Sequence, residues 1–193
     1  MKAVYLIRHG MTNGNREKRY IGRSNEPLCG EGKVQAAALK DTHFPAFDRV
    51  FTSPYLRCVE TASILFPDTE FTAVYGLREC DFGIFEGKTA AELERSAAYH
   101  GWLATGCTGP IPGGESVEDF KARCRIAFLE AIAETPENSA CAFVIHGGCI
   151  MAILEAYAVP KRAFYDCHIK NCGFVRCVFN GRVLTIEGGS LCS

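Results

Sequence analysis

Two apolar runs in this chain each end in a histidine followed by glycine: Ala3 to Ile7 leads into Arg8-His9-Gly10, and Ala140 to Ile145 leads into His146-Gly147. A neutral imidazole is a nucleophile and proton carrier near neutral pH, and a guanidinium presents a planar fork of N–H donors to oxyanions. Glycine after each histidine removes side-chain bulk and lets backbone N–H groups approach an anion. A helix following Gly147 would add its positive end. Two imidazoles and an arginine converging in this way suit a phosphate group. One such histidine alone would read as a hydrogen-bonded core residue; the repeated context argues for a shared site.

Histidines at strand ends need a sheet whose carboxyl edge is open to ligand. Short strands are expected at Arg49 to Thr52 and Phe71 to Tyr75. They alternate with helices over Gly32 to Lys40, Pro54 to Leu65, Thr89 to about Tyr99, Ser116 to about Glu134 and Cys149 to Tyr157. Phe174 to Phe179 and Arg182 to Ile186, split by Asn180-Gly181, predict a terminal hairpin. The alternation predicts an α/β fold, three layers α/β/α around a mainly parallel central sheet. Residues 1–193 are expected to form one domain. Gly76 to Gly87 reads as a loop, and Gly101 to Gly114, with its five glycines and two prolines, as the flexible part of a small lid over about 88–114.

A formal net charge of -1 gives no global field for nucleic acid or an anionic membrane, so anion binding must be local. There is no run of about 18 apolar residues and no signal-peptide core, which predicts a cytoplasmic protein, monomeric or homodimeric. The 11 cysteines are scattered and odd in number, with no Cys-x-x-Cys pair. Cys167-His168, Cys172 and Cys177 fit no common zinc spacing, so reduced thiols, no metal and no cofactor are expected.

Six segments, in order along nearly the whole chain, resemble the histidine phosphatase superfamily, the phosphoglycerate mutase-like enzymes. They are Arg8-His9-Gly10-Met11-Thr12 with Asn15; Gly22 and Pro27-Leu28 with Gly32; Thr52-Ser53-Pro54 with Arg57 and Glu60-Thr61-Ala62; Leu77-Arg78-Glu79 with Phe82-Gly83 and Glu86-Gly87; Pro112-Gly113-Gly114-Glu115-Ser116; and His146-Gly147. The resemblance implies that His9 is the nucleophile accepting a phosphoryl group, and that Arg8, Arg57 and His146 hold its oxygens as two guanidiniums and an imidazolium. Asn15 and the backbone at Gly22 and Gly147 would complete the cage. Glu79 would be the general acid, and Glu86 structural support. Phosphoryl transfer asks the protein mainly for position and charge stabilisation, which such a cage supplies without metal.

Met11, Asn25 and Cys29 stand where the family more often has an acidic residue, Asp and Thr, which bears on loop geometry. His43, His100 and His168 match no motif position and read as structural or surface residues. A mutase must grip a carboxylate and a second phosphate. Between Lys88 and Gly114 only Lys88 and Arg95 are basic, whereas Tyr99, Trp102, Leu103 and Ile111 are apolar or aromatic. This favours hydrolysis of a small phosphorylated metabolite, such as α-ribazole phosphate or a sugar phosphate, over a phosphoglycerate mutase. A non-catalytic phospho-ligand binding domain is the third reading, disfavoured because binding alone needs neither a nucleophile nor an acid.

Overall fold

The computed structural model describes residues 1–42 and 44–190, so the expectation for His43 lies outside the described residues. Its strands are β1 (Lys2–Arg8), β2 (Arg49–Thr52), β3 (Thr72–Ala73), β4 (Ala140–Ile145), β5 (Ala158–Val159), β6 (Phe174–Phe179) and β7 (Leu184–Gly189). Its helices are α1 (Asn13–Arg16), α2 (Gly30–Lys40), α3 (Leu56–Leu65), α4 (Ala97–Ala104), α5 (Val117–Ala133) and α6 (Gly147–Tyr157). The sheet order is β3-β2-β4-β1-β6-β7-β5. Strands β3, β2, β4 and β1 run parallel, as do β5 and β7; β6 runs antiparallel to both its neighbours. The sheet is therefore mixed and mainly parallel.

The two central strands are buried on both faces, which is why they read as unbroken apolar runs. Val4, Leu6, Cys141, Phe143 and Ile145 join one core with Phe128 of α5 and Ile150 of α6. Tyr5, Ile7, Ala142 and Val144 join the opposite core with Cys58, Ala62 and Leu65 of α3. Helices thus cover both faces, giving the three layers. In the β1–β4 register Arg8 lies opposite Ile145, so the next residues, His9 and His146, emerge side by side at the carboxyl edge.

The substituted loop positions keep their capping work. The Cys29 thiol, standing in for a hydroxyl, accepts from Gly32 N–H at 3.4 Å at the start of α2, and Asn25 Oδ1 accepts from Leu56 N–H at 2.7 Å at the start of α3. Ser116 caps α5 through the Asp119 N–H.

Two expected elements move. The helix expected from Thr89 begins only at Ala97, because Thr89 and Glu92 exchange side-chain-to-backbone hydrogen bonds in a local turn while Ser96 Oγ caps the Tyr99 N–H. The strand expected over Phe71 to Tyr75 shrinks to Thr72–Ala73, since a 3-10 turn takes over from Tyr75. Part of the glycine-rich stretch is α4, and Tyr99, Trp102 and Ile111 are buried in the main core.

Candidate active site

The carboxyl edge of β1 and β4 brings His9 and His146 to a ring-centroid distance of 5.2 Å at an interplanar angle of 69°. Both are buried. His9 Nδ1 lies 2.7 Å from the Gly10 carbonyl oxygen, which can only accept, so Nδ1 carries the proton and Nε2 keeps the lone pair. Burial, reinforced by Arg57 and then Arg8, holds the His9 imidazole well below its ordinary pKa. A neutral imidazole with a lone pair on Nε2 has the form a nucleophile requires.

His146 is held differently. Arg57 Nε donates to His146 Nδ1 at 3.2 Å, which puts the imidazole proton on Nε2, and that N–H meets Ser53 Oγ at 2.7 Å. Burial, then Arg57, then His9 push its pKa well down. The expected imidazolium is therefore a neutral ring in this structure, because a desolvated site beside guanidiniums disfavours a further positive charge.

Arg57, on the first turn of α3, is fully buried. Its Nη1 donates to the Ser24 carbonyl at 2.6 Å and its Nη2 to the Gly22 carbonyl at 2.8 Å, fixing the guanidinium plane. Gly22 is thus a support for Arg57 rather than an open donor: its own N–H goes to Glu86 Oε1 at 2.8 Å, and a Cβ there would overlap the Cys80 carbonyl. Glu86 also receives the N–H groups of Ser24 and Phe82, which ties two loops together.

Arg8 Nη1 donates to the Ile169 carbonyl at 2.7 Å and lies 3.5 Å from His168 Nε2. Asn15 Oδ1 accepts from Thr12 N–H and from Asn171 Nδ2, and Asn171 Nδ2 also reaches the His9 carbonyl. Thr61 Oγ1 accepts from Gly10 N–H and donates to the Arg57 carbonyl, linking the two arginine-bearing segments.

Glu79 sits against the start of α6. Its Oε1 accepts from Cys80 N–H at 3.0 Å and its Oε2 from Gly148 N–H at 3.1 Å. Burial raises its pKa above the ordinary carboxylate value, against the opposing pull of those two N–H groups and the arginines. A carboxyl that holds its proton more tightly than usual is suited to general-acid work.

Glu79 lines a cavity of about 350 Å³ together with Arg8 and Gly147; Trp102, Phe120, Phe164 and Ile111 form much of its apolar wall. His168, exposed as a surface residue, also borders it, and His100 is exposed and sits against the Glu94 carbonyl. Arg95 and Lys88 do not line it. Among the described residues no group of three or more His, Cys, Asp or Glu could hold a metal ion, and no helix is long and apolar enough to cross a membrane.

Ser53, Thr61, Asn171 and His168 are the site residues that the sequence alone leaves without a role. Ser53 and Thr61 stand inside quoted motifs. Asn171 and His168 come from an aperiodic stretch about 160 positions from Arg8.

The family model for the histidine phosphatase superfamily (branch 1) matches residues 4–188. The chain belongs to that superfamily. A probable phosphoglycerate mutase, GpmB, of Salmonella typhi is 31% identical over 184 residues, covering 91% of this chain and 84% of the relative. Among solved structures, phosphoglycerate mutase from Thermus thermophilus is 28% identical with a TM-score of 0.73, covering 99% of both chains. The α-ribazole phosphatase from Shigella flexneri superposes with a TM-score of 0.85 at 24% identity, over 99% of this chain and 96% of the other, a likeness of fold. As a histidine phosphatase superfamily enzyme, this protein has its family motifs at the carboxyl edge of the sheet.

Proposed function

We infer that the protein hydrolyses a small phosphomonoester through a phosphohistidine at His9. The observation carrying this reading is the geometry at His9, whose Nδ1 is tied to the Gly10 carbonyl at 2.7 Å so that Nε2 keeps its lone pair; burial shifts the His9 imidazole down and the Glu79 carboxyl up, in keeping with it. Those are the starting states of a nucleophile and a general acid.

In the first step Nε2 attacks phosphorus, the bond from phosphorus to the ester oxygen breaks, and the Glu79 proton passes to the departing alkoxide. In the second, the Glu79 carboxylate takes a proton from water, the water oxygen attacks phosphorus, and the P–N bond breaks to release inorganic phosphate and neutral His9. Arg8 and Arg57 supply the charge that stabilises the equatorial oxygens, and His146 keeps the Arg57 guanidinium in place through its Nδ1. This stabilisation comes from the chain itself, so metal-independent turnover follows.

The alcohol portion takes the 350 Å³ cavity, whose wall of Trp102, Ile111, Phe120 and Phe164 suits a ring-bearing or neutral group such as α-ribazole or a sugar. The segment over about 88–114 is the cover that shapes it.

The test compares α-ribazole phosphate, sugar phosphates, 3-phosphoglycerate and an aryl phosphate by kcat/KM in the presence of EDTA. Release of inorganic phosphate, with enzyme-bound label stable to alkali and lost in acid, supports the reading. Conversion of 3-phosphoglycerate to its isomer without phosphate release would replace it with a mutase. Tight phospho-ligand binding with no turnover would make the protein a binding domain.

A further inference from the structure

The motif segment Pro112 to Ser116 packs on the loop that carries Glu79. The Glu115 N–H donates to the Asp81 carbonyl at 2.9 Å, and a Cβ at Gly114 would overlap the same carbonyl, so glycine lets the two backbones approach this closely. The Glu115 carboxylate turns to α5, where it accepts from Arg123 Nε and Nη2 at 2.8 and 2.7 Å. A two-pronged pair of this kind fixes the guanidinium plane. Only 21% of the Arg123 side chain and 19% of the Glu115 side chain are exposed, which limits the screening and side-chain freedom that weaken surface pairs.

The third Arg123 nitrogen, Nη1, donates to the carbonyls of Gly76 and Arg78 at 2.7 and 3.0 Å. From α6, the Cys149 thiol reaches the carbonyls of Leu77 and Arg78 at 3.3 and 3.2 Å. These three successive carbonyls stand at the end of the 3-10 turn over Tyr75–Leu77, and side chains of two helices meet them there. Glu79 comes next in the chain. Its Oε2 accepts from Gly148 N–H at 3.1 Å, and a Cβ at Gly148 would overlap Oε1, so the carboxyl fits its seat on α6 with little clearance. The backbone just before Glu79 decides whether the carboxyl reaches that seat.

We propose that Glu115 and Arg123 are a positioning pair for Glu79: the carboxylate locks the guanidinium, the guanidinium pins the Gly76 and Arg78 carbonyls, and the pinned backbone delivers the Glu79 carboxyl to the Gly148 N–H. Both side chains act through the backbone, without contact to the substrate. For turnover this rests on the proposed role of Glu79 as general acid, and it shows where a leaving group needs a proton.

The ¹³C resonance of the Glu79 carboxyl, titrated in the free enzyme, reads placement without turnover. In Glu115→Gln and in Arg123→Lys the midpoint should move down toward the ordinary carboxylate value, because a loosened loop gives the carboxyl more water. Arg57 and Arg8, whose charges face the same carboxyl, are unchanged in both variants. An ammonium at position 123 cannot hold Glu115 and two carbonyls in one plane, and the nearly isosteric Glu115→Gln guards against a folding defect in the arginine variant. An unchanged midpoint in both variants overturns the pair, whatever Glu79 does in turnover.

Single-turnover phosphorylation of His9, quenched in alkali, then compares two substrates. From a sugar phosphate, whose alkoxide must leave with a proton, both variants should be slower by about tenfold or more; from an aryl phosphate they should stay within about twofold of wild type. Equal slowing on both substrates, beside a Glu79→Gln enzyme that does separate them, would reduce the pair to a structural contact and overturn the proposal. If the midpoint moves but Glu79→Gln itself fails to separate the substrates, the pair stands as a positioning device and the general-acid role of Glu79 falls.

Discussion

The ends of β1 and β4 carry the same local sequence, an apolar strand followed by histidine and glycine, yet they make two different machines. At His9 one ring nitrogen is tied to the adjacent Gly10 carbonyl and the other keeps its lone pair. At His146 both nitrogens are engaged, one by Arg57 and one by Ser53. The strand delivers an imidazole to the site in both cases. What the imidazole can do there is decided by the hydrogen bonds at its two nitrogens. For His146 these come from α3 and the β2–α3 corner rather than from its own strand.

The largest effect should come from exchanging the two roles. His9→Ala is expected to leave no measurable turnover and no acid-labile label. His146→Ala should still be labelled at His9 while losing about 10²–10³ in kcat, the scale of one lost active-site stabilising contact, because it releases the Arg57 guanidinium that the ring holds through Nδ1. Label found on His146 in the His9 variant would reverse the assignment.

Next comes the residue touching both the His146 ring and the loop at Gly22. Arg57→Ala should lower kcat/KM by about 10² or more, and Arg57→Lys should not restore it, because an ammonium cannot hold His146, Ser24 and Gly22 in one plane. Near wild-type kinetics in the lysine variant would show that charge alone suffices.

Ser53→Ala sharpens the contrast at a smaller scale. It strips the acceptor from a buried imidazole N–H and should cost about 1–3 kcal/mol of stability, read from denaturant unfolding. The matching change at the first histidine has no equivalent, since its acceptor is backbone.

The smallest effect is in pH dependence, and its sign follows from the lowered pKa of both rings. Each folded-state histidine resists a proton that the unfolded chain accepts near pH 6.5, so the contribution is fully present above that pH and is lost as pH falls. Each ring can cost at most about 1.4 kcal/mol per pH unit. Thermal melts between pH 7 and 5 should therefore be steeper for wild type than for His146→Gln. Turnover should fall as rising pH removes the proton from Glu79, at a pH above that of an ordinary carboxylate because burial raises its pKa. Parallel melting curves would place a charged ring in the native state.

The same contrast marks where the sequence stops speaking. Strands buried on both faces announce themselves as apolar runs, so the histidines, and the α/β order around them, were legible. Arg57 was legible only through the Thr52-Ser53-Pro54 context, because an arginine on a first helical turn is ordinarily a surface residue. The neutrality of His146 was not legible: it depends on burial and on a guanidinium 89 positions away. Asn171 and His168 reach the site from a stretch without periodicity, and no local pattern ties them to Arg8 or Asn15. The late start of α4 reflects a reciprocal Thr89–Glu92 turn, which competed successfully with helix propensity.

The β1–β4 register has a consequence for how this protein could be re-engineered. Inserting one residue within Val4 to Ile7 would send every following side chain of that strand to the opposite face and carry His9 out of line with His146. The same insertion in the turns at 105–110 would only lengthen a surface connection. The side chains walling the apolar cavity come mostly from outside these two strands, among them Trp102, Ile111, Phe164 and His168. Segments around α4 and residues 160–168 can therefore be exchanged between relatives to reshape the apolar cavity, while the two central strands and their spacing are left untouched.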